Sequence, residues 1–429
     1  MNLISRRQCI HYGSCGGCAA QDVPYEMQLA GKQSALGALF RNDWQEPIPV
    51  TPSPVLRHYR NKIDPAFSFK WYEEAPPRDF LRETVLGFKV KGNWRRPLEL
   101  EECLIAPEGV DALFPAVRDW VRASGLKAYH SRKNEGYLRH LLIRDGKRTG
   151  ERMVMLITSP GALPDPSGFV DAVQAVFPCA SIYHGTFSGR ADIAVAEESV
   201  LLFGKKYIEE VLSILPEDAC TPEAPVYDAP GSFLQAEQEK KATLHFQISP
   251  MSFFQTNPLA AERLYGFIRG WCRKYPAGLL YDLYGGMGSI ALQVSDLYPQ
   301  IISVEEVAAA SEDGRQNAGR NQVHHIEFVT ASVQDFFKKH SSSGDLSPDA
   351  RVILDPPRSG LHPKALRGLL EWAPSHLLYV SCNPARLQAE MEMLRSAYTL
   401  ESLHAFDLFP HTPHVETVAS FVRTQGAKD

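Results

Sequence analysis

Residues 279–289 read LLYDLYGGMGS: an apolar run of strand length, a polar corner, then three glycines within four positions. The first part suits a strand buried on both faces. The second suits a loop whose backbone another molecule can approach closely. Twenty-one residues after Tyr284 stands Glu305, at the end of a second apolar run, Ile301–Val304. An acidic residue at the end of the second strand is placed to bind ribose hydroxyls. NAD and S-adenosylmethionine both answer that description.

The alternation continues downstream. Ile326–Val329 and Arg351–Leu354 read as a third and fourth strand, and Leu377–Ser381 as a fifth. Helical patterns lie between them: one from Ile290, one from Ala309 to Asn321, and one carrying Leu387, Met391 and Leu394. Strands alternating with helices make a parallel sheet covered on both faces, with ligands beyond the carboxyl ends of the strands. The expected fold class is therefore α/β, with a Rossmann-like domain over 246–429.

Each polar motif of this segment falls at a strand end. DPPR (355–358) follows the fourth strand, and its two prolines stiffen a loop whose carbonyls face no competing amide. Such a loop is a platform for a planar base or an amino group. It is typical of methyltransferases that act on nucleobases, and hydride transfer gives no reason for it. Asp355 can meet either the cofactor or the target base. SCNP (381–384) puts Cys382 at the next strand end, as a small buried residue or as a nucleophile. HVET (414–417) puts Glu416 at the edge of a final apolar strand, with His411 and His414 nearby.

Upstream the pattern changes. Short β-type runs, AFSFKWY, VLGFKV, YLRHLLIR, RMVMLIT and SVLLFG, fill 48–245 and predict an antiparallel β-rich domain. Residues 213–231 read as a loop or insertion. Tyr25–Phe40 reads as one helix, with Met27, Leu29, Leu36 and Leu39 as its apolar positions. Ahead of it lies QCIHYGSCGGCAAQ, in which Cys9, Cys15 and Cys18 are spaced C-x5-C-x2-C among glycines. Four-thiolate zinc sites usually show two C-x2-C pairs. Three clustered cysteines plus the distant Cys103 suit a cubane iron–sulfur cluster better. Cys179, Cys220 and Cys272 have no such company.

Composition bounds the rest. The chain has 429 residues, 44% hydrophobic and 22% charged, which excludes a disordered or collagen-like protein. No apolar run approaches the ~18 residues that span a bilayer, and Met1–His11 has no secretory apolar core. The expectation is a soluble cytoplasmic protein that makes no membrane contact. The net charge is −5 but unevenly spread: residues 1–160 hold 24 basic against 18 acidic side chains. Such asymmetry is expected where one face meets nucleic acid. The densest basic stretch, Lys127–Arg152, reads by itself as a solvated surface.

Taken together, C-x5-C-x2-C with Cys103, HYRNK (58–62), SFFQTN (252–257), DLYGGMG, DPPRSG, SCNP and HVET resemble the iron–sulfur 23S rRNA (uracil-5-)-methyltransferases over nearly the whole chain. The resemblance implies that Gln255, Tyr284, Glu305 and Asp355 bind S-adenosylmethionine. It implies Cys382 as nucleophile toward uracil C6, Glu416 as the base at C5, and Cys9, Cys15, Cys18 and Cys103 as ligands of a 4Fe–4S cluster. It further implies an unpaired uridine in 23S rRNA as substrate, acted on by a monomer. Three parts are expected: a cysteine segment and helix (1–47), a β-rich RNA-binding domain containing Cys103 (48–245), and the catalytic domain (246–429).

Departures from the family pattern are local. Gly285 stands where members often have Cys or Ser. Ser332 stands where some carry an acidic contact to adenine, with Asp335 three residues on. Only eight residues precede Cys9, so the RNA-binding TRAM barrel of several members is not expected. RNA affinity is then assigned to HYRNK and the 127–152 stretch. The alternatives are the same chemistry on tRNA, an iron–sulfur redox or RNA-binding protein without methyl transfer, and a radical S-adenosylmethionine enzyme. The last usually carries C-x3-C-x2-C.

Overall fold

A computed structural model describes residues 7–74, 76–77, 80–237, 242–341 and 346–424. The apolar runs of 279–381 become strands buried almost end to end: Leu279–Leu283, Arg351–Leu354 and His376–Ser381 each expose little beyond the first residue. Gln300–Glu305 and Ile326–Thr330 extend the same sheet on one side. All five run parallel. Tyr398–Phe406 and Glu416–Arg423 complete the other side, with Glu416–Arg423 inserted antiparallel between its neighbours. Numbered in sequence, these seven strands lie in the order 6-7-5-4-1-2-3.

That order contains a switch point. From Leu279–Leu283 the chain moves to one side of the sheet for two strands and then returns to the other side at Arg351–Leu354. The loops leaving these two neighbouring strands diverge and open a crevice, the place where α/β sheets bind ligands. The loops in question are GGMGS and DPPR. Helices cover both faces as expected, but the one after the glycine loop, Ser289–Gln293, is only five residues long. The one after Glu305 spans Ala308–Arg320.

An eighth strand of this sheet comes from far upstream. Val50–Thr51, within the segment expected to be part of the β-rich region, pairs parallel with Ala405–Phe406. The helix Tyr25–Leu39 packs on the same unit, with a different inner face from the one its apolar positions suggest. Met27 is 60% exposed, whereas Tyr25, Gln28, Lys32 and Leu36 are buried. Lys32 pairs with Asp407 at 2.7 Å in a fully buried setting. A lysine is held there because its carboxylate partner is buried with it.

The β-rich region forms a second sheet, in the order Asn93–Glu99, Thr84–Val90, Ala66–Phe69, Leu138–Asp145, Arg152–Thr158, Ser181–Thr186, Glu198–Gly204, with Lys62–Ile63 also on Leu138–Asp145. It is antiparallel except where Arg152–Thr158 and Ser181–Thr186 pair parallel, joined through the helix Pro166–Gln174. A parallel pair needs such a crossover. A second helix, Val110–Ser124, was also not expected. It contains Pro115, yet Val110, Leu113, Phe114, Val117, Trp120 and Val121 are buried at helical spacing and hold it against the sheet. Within 213–231 the chain forms a turn at Glu217–Ala219 and enters the helix Pro230–Ala236. No helix among the described residues is long and apolar enough to cross a membrane.

Candidate active site

The crevice is built first by its glycine loop. Tyr284 turns the chain at φ +63°, and Gly285 donates its N–H to the Val304 carbonyl at 3.1 Å. Glu305 accepts from the Gly286 N–H at 3.0 Å and from the Val307 N–H at 2.8 Å. Its carboxylate is thereby fixed at the crevice edge with lone pairs to spare. Gly288 sits at φ +75°, and a Cβ there would lie 2.7 Å from the Phe328 ring, so the position accepts no side chain. Beside Gly286 there is open space instead. Among the described residues, the buried Oδ1 of Asp282 and hydroxyl of Tyr284 reach no hydrogen-bond partner. These orphaned atoms, with the free lone pairs of Glu305, fit a ligand bearing hydroxyl and amino groups.

DPPR closes the other wall. The Asp355 N–H donates to the Leu283 carbonyl at 3.2 Å, which places Asp355 across from the glycine loop. Asn383 donates its side-chain N–H to the Arg358 carbonyl at 2.9 Å and so ties SCNP to DPPR. Cys382 follows directly on Ser381, which is paired with Thr417 across the antiparallel ladder, and the Thr417 hydroxyl donates to the Ser381 carbonyl at 3.1 Å. Cys382 and Glu416 therefore occupy adjacent strand ends. Glu416 is buried, 3% exposed, and the thiol is half-buried.

Electrostatics bind these groups into one unit. Burial pushes the Asp355 carboxyl up to about 7, with Asp282 adding repulsion. Burial likewise pushes Asp282 up to about 7. Burial holds Glu416 well above the ordinary carboxylate range; Asp355 adds to this and Arg358 opposes it. Burial raises the Cys382 thiol to about 11, Glu416 and Asp355 raising it further and Arg358 opposing. Three carboxyls and one thiol thus share a crevice in which Arg358 opposes the upward shifts of Glu416 and Cys382. Arg358 and Asp282 escaped sequence reasoning although both lie inside quoted motifs, because only packing shows which charges meet. Tyr265, buried on the helix Pro258–Lys274, also feels Asp355 and Glu416.

The other motifs are placed as follows. The Gln255 carbonyl accepts from the Asn61 amide group at 3.0 Å, and the Thr256 carbonyl from the Asn61 N–H at 2.8 Å. Ser252 donates to Asp313 on the helix after Glu305. HYRNK is thus an internal joint: Tyr59, fully buried, donates to the Pro410 carbonyl at 3.1 Å. Ser332 and Asp335 bond each other at the start of the helix Val333–Ser341, the Asp335 N–H donating to the Ser332 hydroxyl at 3.2 Å. The 127–152 stretch divides: Lys127, Arg132 and Lys133 are exposed, as a solvated surface requires, whereas Arg139, Arg144 and Lys147 are buried. Arg148 is clasped by Glu237 and Glu262, Arg144 donates to the Pro250 and Ser252 carbonyls, and Lys147 pairs with Asp145.

The cysteine segment is stitched between the two sheets. Gly16 donates to the Lys89 carbonyl and Lys91 to the Ser14 carbonyl, while Ala19 donates to the His411 carbonyl. Burial raises Cys18 to about 11 and Cys103 to about 12. Cys18 also feels Cys15 and Cys9, and Cys103 feels Cys18 and Cys9, so the four thiols share one neighbourhood. Among the described residues, however, no group of three or more His, Cys, Asp or Glu is arranged to hold a metal ion. The expected cluster is not shown.

Comparisons with known proteins agree with this crevice. A family model described as tRNA (Uracil-5-)-methyltransferase matches residues 234–423. A Clostridium tetani protein named "Uncharacterized RNA methyltransferase" is 31% identical over 97% of this chain and 84% of its own length. The tRNA (uracil(54)-C(5))-methyltransferase of Pyrococcus furiosus is 29% identical over 97% of this chain and 85% of its own. Among solved structures, the Pyrococcus abyssi tRNA (uracil-54, C5)-methyltransferase in complex with S-adenosyl-L-homocysteine superposes with a TM-score of 0.67 at 27% identity, covering 95% of this chain and 86% of that one. The sheet order, the glycine-loop crevice and these relatives together place the chain in the S-adenosylmethionine-dependent RNA (uracil-5-)-methyltransferase family.

Proposed function

We propose that the protein methylates C5 of a uridine in RNA by covalent catalysis, with Cys382 as nucleophile and Glu416 as base. The observation that carries this reading is the placement of the thiol and the buried carboxyl at neighbouring strand ends beside the cofactor crevice. Glu305, Tyr284, Asp355 and Gln255 would hold S-adenosylmethionine, which when bound supplies an electrophilic methyl group. Uracil C5 is a poor nucleophile. Addition of the Cys382 thiolate to C6 forms an S–C6 bond and shifts the ring electrons toward C5 and O4, which makes C5 reactive. Once C5 is methylated, Glu416 in its carboxylate form removes the C5 proton. The C5=C6 bond re-forms, the S–C6 bond breaks, and Cys382 leaves as thiolate. The uridine must be extruded from its stack to reach this crevice, at a cost of a few kcal/mol that is least for an unpaired residue.

For the substrate we propose an unpaired uridine in 23S rRNA, and for Cys9, Cys15, Cys18 and Cys103 a 4Fe–4S cluster. The four cysteines support both, through the resemblance that links them to rRNA-modifying members. The tRNA reading is favoured by a different observation: two relatives, from Pyrococcus furiosus and Pyrococcus abyssi, are named tRNA (uracil-54, C5)-methyltransferases. One assay separates them. Purified protein receives methyl-labelled cofactor with unmethylated 23S rRNA fragments and, in parallel, with unmodified tRNA, and the RNA is digested to nucleosides. The expected product is labelled 5-methyluridine from the rRNA fragments. Label in tRNA alone overturns the rRNA assignment, and no 5-methyluridine from either RNA overturns the function.

A further inference from the structure

A cavity lies away from the catalytic crevice, on the β-rich sheet. It measures about 450 Å³ and is lined by the hairpin Thr84–Glu99, the Phe67–Tyr72 segment and residues 129–132. Its rim carries two exposed indoles, Trp94 at 68% and Trp71 at 43% exposure. Solvent-facing tryptophans of this kind are rare in a surface that meets only water. Each is accompanied by a guanidinium: Arg95 stands 4.9 Å above the Trp94 ring and Arg96 stands 4.4 Å above the Trp71 ring. Arg82 and Arg132 also line the cavity. None of these four arginines forms an ion pair among the described residues, whereas Lys70 and Lys89 pair with Glu83 and Asp192. Unneutralised arginines interleaved with aromatic faces are the chemistry that receives an unpaired polynucleotide, bases on the rings and phosphates on the cations.

The position of this surface points the same way. Asn93–Glu99 is the edge strand of its sheet, and its first four residues are exposed. The turn of the hairpin is bonded to the cysteine segment through Gly16 and Lys91, and that segment is bonded in turn to His411, five residues before Glu416. A single short stretch of chain thus joins this surface to the catalytic crevice.

Resting on the proposed function, we propose that the Trp71–Trp94 surface binds single-stranded nucleotides flanking the target uridine, by base stacking on the two indoles and phosphate contacts from Arg82, Arg95, Arg96 and Arg132. Only unpaired bases offer a free face, so a duplex of the same length is a poor ligand.

The test measures binding of the full chain to a fluorescein-labelled single-stranded RNA 12-mer by anisotropy. A hairpin duplex of the same length and cofactor binding by calorimetry are followed alongside. Trp94→Ala and Trp71→Ala should each weaken single-strand binding about 5- to 100-fold, the range expected for one stacked base. Trp94→Phe should retain most of the affinity, and cofactor binding should not change in any variant. Wild-type affinity in both alanine variants overturns the inference and leaves the surface to a protein partner. So does an equal loss toward the duplex, or a loss that Trp94→Phe does not rescue. Failure of the wild-type protein to methylate any RNA would instead count against the proposed function, so the two failures are distinguishable.

Discussion

Cys382 sits where its surroundings disfavour the thiolate. Burial, Glu416 and Asp355 raise the thiol to about 11, while the Arg358 charge and a backbone hydrogen bond draw it down. Below that value the thiol is the dominant form, and its thiolate fraction climbs tenfold for each pH unit. Alkylation of Cys382, followed by mass spectrometry of its peptide, should therefore rise about tenfold per unit from pH 7 to about 10, without levelling near the ~8.5 of an ordinary cysteine. Arg358→Gln should slow it at every pH in that range, because the one lowering charge is gone. A plateau by pH 8.5 would show that burial and the carboxyls do not hold the thiol up. Lys32 makes a different point at this scale. Its spacing within a helix gives no hint of burial, since its partner Asp407 lies 375 residues away. The inward turn of Arg148 has the same cause: Glu237 and Glu262 come from 89 and 114 residues downstream.

Single elements carry the clearest division between what local sequence reveals and what packing decides. Strand ends were legible: Glu305, Asp355 and Cys382 each close an apolar run, and alternation with helices tells that all such ends lie on one side of a parallel sheet. Glu416 was legible only as the edge of a strand; that this strand is antiparallel and inserted beside Ser381 is a fact of topology. The helix Val110–Ser124 was obscured by Pro115, although its buried positions follow a helical period. The cysteine segment belongs to this scale too. Its backbone is tied to the hairpin at Lys89 and Lys91 and to the catalytic unit at His411, so a cluster held by Cys9, Cys15, Cys18 and Cys103 would lock three parts of the chain together. Anaerobically purified protein should be brown and contain about four irons per chain, the content of one cubane. Colourless protein carrying one zinc would contradict the cluster, and so would protein free of metal after anaerobic isolation.

At the scale of the whole molecule, the two eight-stranded sheets divide the work. One carries the crevice at its switch point, the other an aromatic and basic surface, and the short cysteine segment spans the gap between them. The excess of basic side chains in residues 1–160 raised the expectation of a nucleic-acid face, and the surface proposed for it draws on the hairpin around Trp94 together with Arg132 of the densest stretch. Part of the dense stretch is taken up by internal partners, as Arg148 is by Glu237 and Glu262, while among the described residues Arg95 and Arg96 beside Trp94 and Trp71 form no ion pair. Two adjacent strand ends of the catalytic sheet are proposed to serve one reaction, covalent attack on uracil by Cys382 with Glu416 resolving the adduct. It is tested most directly by trapping. Glu416→Gln, incubated with substrate RNA and cofactor, should accumulate a denaturant-resistant protein–RNA species carrying one added methyl group on the base, and Cys382→Ala in the same background should abolish it. Normal turnover of Glu416→Gln without an adduct, or an adduct that survives loss of Cys382, would contradict the account.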